Sequence, residues 1–159
     1  MDERGAIERL RTIATHSAAR GLLDDAAVLD GLVLTHDSIA EGVHFFPDDP
    51  PASVGWKLVA VNLSDLAAKG AEPLAALLSL TLAGEGEWEA RFLDGIEAAC
   101  DTYGLPLLGG DTIALPAGSP RVLAHKDFVI KTNDETKARA FCGNASLRAK
   151  LSAQASVTS

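Results

Sequence analysis

The run VGWKLVAVNLSDLAAKGAEPLAALLSLTL, residues 54–82, decides the fold class. Residues 54–69 read as a helix that is apolar nearly all round. Pro50-Pro51-Ala52-Ser53 punctuates the chain before it, Ser53 is an N-cap residue type, and Gly70 stops it. Residues 75–82 are as apolar but too short for a helix of their own, so they read as a strand. A helix followed at once by a buried strand marks a layered α and β protein.

Working outward, the upstream side carries two short β-rich runs, Ala26-Ala27-Val28-Leu29 and Leu32-Val33-Leu34-Thr35. Asp30-Gly31 lies between them and is a strong two-residue hairpin signal. Before them, Ile7, Leu10, Ile13 and Ala14 recur at helical spacing and predict an amphipathic helix over 6–19. Downstream, Trp88, Phe92, Ile96, Ala99, Cys100 and Tyr103 form one stripe of a second long helix closed by Gly104. Residues 105–108 then read as a strand running into Gly109-Gly110-Asp111-Thr112. The order α-β-β-α-β-α-β predicts an α/β or α+β sandwich with helices on one face of a sheet. No internal repeat is present.

The chain has 159 residues, enough for one domain with a real core, and is 47% hydrophobic and 23% charged. That balance excludes a wholly disordered chain, and no apolar run approaches the roughly 18 residues of a membrane span. The formal net charge of −8 argues against a nucleic-acid or anionic-membrane partner and suits a protein that holds metal ions. Cys100 and Cys142 make no disulfide framework, and Met1-Asp2-Glu3-Arg4 opens without an apolar signal segment, so the reducing cytoplasm is the expected compartment. The charge is uneven: 1–123 holds 8 basic and 19 acidic residues, 124–159 holds 6 and 3. Composition therefore changes near Ala124, and residues 124–159 read as a polar stretch with a frayed end.

Acidic residues gather where elements are expected to end: Asp24-Asp25 before the first strand, Asp37 after the second, Asp111 after the last. Aspartate is also common at caps and turns for purely local hydrogen-bonding reasons, and that reading stays open for each. Asp65 is harder to explain locally. It lies three residues after Asn62, on the same face of an otherwise apolar helix, where a carboxylate must be paired, hydrogen-bonded or metal-bound. A pairing with Lys57 or Lys69 is the structural alternative to a ligand role. Carboxylates converging from separate elements suit a hard cation such as Mg²⁺ shared with substrate phosphates, and Gly109-Gly110 beside Asp111 would let a backbone approach a phosphate. The common nucleotide-binding glycine loops, zinc-ligand spacings and a Gly-x-Ser-x-Gly nucleophile motif are all absent.

Four ordered blocks carry a specific resemblance over about residues 1–123. They are Leu23-Asp24-Asp25-Ala26-Ala27-Val28-Leu29; Thr35-His36-Asp37-Ser38 with Glu41-Gly42-Val43-His44-Phe45; Gly55-Trp56-Lys57 on to Asn62-Leu63-Ser64-Asp65-Leu66-Ala67-Ala68-Lys69-Gly70-Ala71-Glu72-Pro73; and Gly109-Gly110-Asp111-Thr112. Together they resemble thiamine-monophosphate kinases, within a superfamily that includes aminoimidazole ribonucleotide synthetase, selenophosphate synthetase and a hydrogenase maturation factor. The resemblance implies the N-terminal domain of the aminoimidazole ribonucleotide synthetase-like fold, a mixed sheet with helices on one face. It implies Mg²⁺-dependent transfer of the ATP γ-phosphoryl group to thiamine monophosphate, giving thiamine diphosphate, without a covalent enzyme intermediate. By that resemblance Asp25, Thr35, His36, Asp37, Asp65 and Asp111 would hold Mg²⁺, Gly110 and Asp111 would contact ATP, and His44 would touch the substrate. A lone histidine is otherwise an ordinary core or surface residue. No side chain is given a catalytic proton-transfer role, and a homodimer formed by sheet pairing is implied.

Three residues depart from the family pattern: Leu23 stands where Gly is usual, His36 where Ser or Thr is usual, and Lys69 where Met is common. At 36 only the backbone carbonyl could then serve a cation. Residues 124–159 show none of the second domain's expected features. The expectation is thus an N-terminal ATP- and Mg²⁺-binding and dimerisation domain over 1–123, a divergent tail over 124–159 outside the family fold, and no C-terminal domain. The competing readings are a non-catalytic Mg²⁺- or nucleotide-binding or dimerising remnant, and a sister activity such as selenophosphate synthesis. The latter needs a reactive cysteine near the N-terminus, whereas the first cysteine is Cys100.

Overall fold

A computed structural model describes residues 1–84 and 86–130. The elements in chain order are helix α1 (Glu3–Arg11), a 3-10 segment (Ser17–Leu22), strands β1 (Ala26–Leu29) and β2 (Leu32–Ala40), helix α2 (Pro51–Ala68), strand β3 (Glu72–Leu82), helix α3 (Gly86–Tyr103), and strands β4 (Leu107–Ala114) and β5 (Val122–Ile130). The five strands form one mixed sheet in the order β1-β2-β5-β3-β4. β5 runs antiparallel to both of its neighbours, while β3 and β4 are parallel and joined through α3.

The hairpin forms as its sequence predicts. Leu29 pairs with Leu32, and Asp30 and Gly31 both take positive φ, 48° and 83°, as a tight turn of this kind requires. Helix α2 is apolar nearly all round because it is covered on two sides. One side meets β2, β5 and β3, and the other meets α3. The α2–α3 crossing is unusually close. A Cβ at Gly55 would lie 2.1 Å from the Phe92 carbonyl oxygen, and one at Gly95 would lie 2.0 Å from the Ala52 carbonyl oxygen. Each glycine thus admits the backbone of the facing helix. Leu58, Val59, Leu66, Phe92 and Leu123 are fully buried in the resulting core, each worth about 1.5–3 kcal/mol of burial for a side chain of this size.

Several sequence expectations are corrected. The first helix ends at Arg11 rather than near 19, because the Thr12 hydroxyl donates to the Arg9 carbonyl and His16 Nδ1 starts a separate 3-10 turn by accepting from the Ala18 amide. Ser53 is not the N-cap of α2. The helix starts at Pro51, where the missing N–H is no loss, and the Ser53 amide donates to the Pro50 carbonyl. Asp37 and Asp111 lie within β2 and β4 instead of after them, since pairing with distant strands extends both. The composition change at Ala124 falls inside β5, at the centre of the sheet: Ala124 pairs with Ser38 on one side and Ser79 on the other. The apolar pattern of this strand is interrupted by His125-Lys126-Asp127, which disguised it. The rest of the expected tail, 131–159, lies outside the described residues.

Candidate functional site

The site begins with Asn62, which is fully buried on α2. Its Nδ2 donates to the Leu58 carbonyl (3.0 Å), while its Oδ1 accepts from the Thr35 hydroxyl (3.3 Å) and the Asp37 amide (2.9 Å). A buried amide with three partners is a satisfied one, and here it pins the middle of β2 onto α2. Thr35 and Asp37, two apart in a strand, face the helix, and His36 between them points to the opposite face with its side chain exposed. Asp65, one turn beyond Asn62 on the same helix face, is thereby brought within electrostatic reach of Asp37.

The electrostatics record that meeting. Partial burial pushes the Asp65 carboxyl up to about 6, and the like charges of Asp37, Asp25 and Asp24 push in the same direction, with Lys69 opposing them. The alternative to a ligand role, a pairing of Asp65 with Lys57 or Lys69, is not what forms. Lys69 pairs with Asp24, as does Arg20 at 3.3 Å, and the Lys57 ammonium donates to the His44 carbonyl. The Lys69 contact, a further contribution from Arg20 and a hydrogen bond from the Ala26 amide hold the Asp24 carboxyl below its usual range, against the effect of burial.

Asp24, Asp25, Asp37 and Asp65 therefore form one acidic group drawn from the start of the hairpin, β2 and α2. Among the described residues no three His, Cys, Asp or Glu side chains stand close enough to hold one ion as they are. The donor set nevertheless fits a hard divalent cation: it is all oxygen, Thr35 adds a hydroxyl, and Asp65 is held among charges of its own sign that a cation would relieve. Asp111 is apart from this group. It lies exposed on edge strand β4, three strand spacings from β2, or about 14 Å. Gly110 has a structural need for glycine, since a Cβ there would fall 1.7 Å from the Leu78 carbonyl oxygen.

His44 is exposed and fixed in a turn. Its Nδ1 accepts from the Ala40 amide (3.0 Å), so a neutral imidazole carries its proton on Nε2. The same loop is anchored by an ion pair that the sequence did not disclose. Arg121, 4% exposed, meets Glu41 at 3.1 Å and lies 4.0 Å over the Trp88 ring, which stacks in turn with Phe45 and Phe92. Eighty residues separate Arg121 from Glu41, and no local pattern signals such a pair.

Known proteins resemble this chain in sequence and fold. Residues 23–125 match the family model for AIR synthase related protein, N-terminal domain. The thiamine-monophosphate kinase of Salmonella typhimurium is 42% identical over 102 residues, which cover 60% of this chain and 31% of that protein. The enzyme of the same name from Synechococcus elongatus is 38% identical over 109 residues, 64% of this chain and 33% of that protein. Among solved structures, thiamine monophosphate kinase from Aquifex aeolicus superposes with a TM-score of 0.72 at 28% identity, over 82% of this chain and 43% of that one. A structure described as AaThiL complexed with AMPPCP and TMP gives 0.71 at 30% identity, over 80% of this chain and 41% of the other. The chain spans about a third of the length of the curated relatives it matches.

Proposed function

Because the chain belongs to the family of AIR synthase related proteins, matching its N-terminal domain, we propose that it serves thiamine-monophosphate kinase chemistry: Mg²⁺-dependent transfer of the ATP γ-phosphoryl group to thiamine monophosphate, giving thiamine diphosphate. The observation that carries this reading is that Asn62 binds the Asp37 amide and so keeps β2 on α2, with Asp65 within electrostatic reach of Asp37 and Asp25. Direct phosphoryl transfer depends on positioning and charge neutralisation, and bound Mg²⁺ supplies the latter.

In this reading Asp25, Asp37 and Asp65 hold Mg²⁺, with the Thr35 hydroxyl and the His36 carbonyl as further oxygen donors. Gly110 and Asp111 would contact ATP from β4, and Asp111 would offer a further carboxylate to Mg²⁺. His44 offers its Nε2 proton to the substrate from a loop that Lys57 and the Arg121–Glu41 pair keep in place. The acidic surface favours neither nucleic acid nor an anionic membrane, and among the described residues no helix is long and apolar enough to cross one. We place the protein in the cytoplasm as a homodimer, a state supported by the exposed edge strand β4.

Calorimetric titration with a non-hydrolysable ATP analogue, with and without Mg²⁺, tests the reading, alongside an assay for thiamine diphosphate from ATP and thiamine monophosphate. The wild-type chain is expected to bind the analogue only with Mg²⁺, and Asp65→Asn is expected to lose at least about tenfold in affinity. Equal binding by both proteins would remove Asp65 from the site.

A further inference from the structure

The charged groups around Asp24 take no part in the proposed phosphoryl transfer, and they stand at the rim of the acidic group. Lys69 caps the C-terminus of α2, where its amide hydrogen meets carbonyls of the last turn, and it lies four residues beyond Asp65 on the same helix face. Its ammonium sits on Oδ1 of Asp24, and the Arg20 guanidinium lies 3.3 Å from Oδ2. The Lys69 and Asp24 side chains are 28% and 14% exposed, so the pair is largely shielded from water. Arg20 is delivered there by a left-handed backbone, φ 50°, in a segment that Arg11 secures by donating to the Gly21 and Leu22 carbonyls. A non-glycine residue held in this conformation needs its surroundings to keep it there.

We propose that Lys69, with Arg20, is a built-in counter-ion of the acidic site: it occupies Asp24 and supplies a fixed positive charge where a more open cluster would recruit a further divalent cation. This inference rests on reading Asp25, Asp37 and Asp65 as a divalent-cation site. The helix C-terminus carries partial negative charge, which adds to the pull on the ammonium. The fixed charge lowers the intrinsic affinity of the neighbouring carboxylates for a divalent ion, since it repels the ion across a short distance of partly buried protein. It also lets the site stand without metal, because Asp24 is already neutralised. Lys69 is thus a positioning and charge-setting residue rather than a ligand.

The test uses the full chain and Mn²⁺ alone, with free Mn²⁺ read by electron paramagnetic resonance, and thermal midpoints measured in a chelator. Lys69→Met is expected to bind Mn²⁺ about tenfold more tightly than wild type and to melt lower in the chelator, with Mn²⁺ restoring most of the difference. Lys69→Arg keeps the charge and is expected to stay within about twofold of wild type in Mn²⁺ affinity. Lys69→Gln, polar and uncharged, repeats the gain should the methionine variant fold poorly. Mn²⁺ binding that is equal in wild type, Lys69→Met and Lys69→Gln overturns the role of Lys69 while leaving the cation site standing. Absence of Mn²⁺ binding in every protein overturns the cation site itself, and this inference with it.

Discussion

At the residue scale, Asp65 and Asn62 show how one helix face can be both structural and chemical. Protonation of Asp65 is favoured in the folded chain, where its carboxyl is pushed from 3.8 up to about 6. The folded state therefore binds more protons than the unfolded one across that interval. The stabilisation from this group is complete below about pH 4 and lost as pH rises through about 6. Asp65→Asn is expected to gain stability relative to wild type on going from pH 4 to pH 7 without divalent ions, as read from urea midpoints at both pH values. An unchanged difference between the two proteins would show that Asp65 carries no such strain. Asn62→Ala acts the other way: it strands the Thr35 hydroxyl and the Asp37 amide in a buried place and is expected to cost about 1–3 kcal/mol in the same unfolding experiment. The sequence flagged both residues by spacing. It did not reveal that Asn62 binds β2, because the groups its Oδ1 accepts from lie 25 and 27 residues away.

At the scale of elements, the α2–α3 crossing depends on two glycines rather than on side-chain fit. At Gly55 and Gly95 an added methyl group would overlap a carbonyl of the other helix, so the helices must separate to accept it. Gly95→Ala is expected to destabilise the chain by about 3 kcal/mol or more despite its better helix propensity, and a calorimetric melting point checks it. A rise in melting point would mean that the helices have room to spare. The amphipathic stripe of α3 was legible in sequence because it is a local repeat. The extents of β2 and β4 were not, since each is set by a partner strand distant in sequence. β5 is the strongest case: a strand with charges in its middle has the local pattern of a tail, yet two neighbours supply its backbone hydrogen bonds.

For the whole molecule, the proposed homodimer depends on the edge of the sheet. All eight residues of β4 are exposed, with Leu107, Leu108 and Ile113 at 48%, 67% and 55%. An exposed apolar edge strand is a template for pairing with another chain unless something covers it. Leu108→Lys together with Ile113→Lys is expected to convert a dimer to a monomer in sedimentation equilibrium with little change in secondary structure. A wild-type chain that sediments as a monomer would rule out β4 as a dimer edge.

The quantities that the sequence determined alone are those with a local cause. Helical and strand periodicity gave the layered order, Asp30-Gly31 gave the hairpin turn, and four short blocks gave the family with its acidic residues. The tertiary structure decided everything that depends on which distant groups meet. It put β5 in mid-sheet, gave Asn62 to β2, gave Lys69 to Asp24 rather than to Asp65, and buried Arg121 against Glu41 and Trp88. It also set Asp111 apart from the other carboxylates. The physical reason is range: propensity and periodicity act over a few residues, whereas ion pairing, desolvation and strand pairing are fixed by distances that only the packed chain defines.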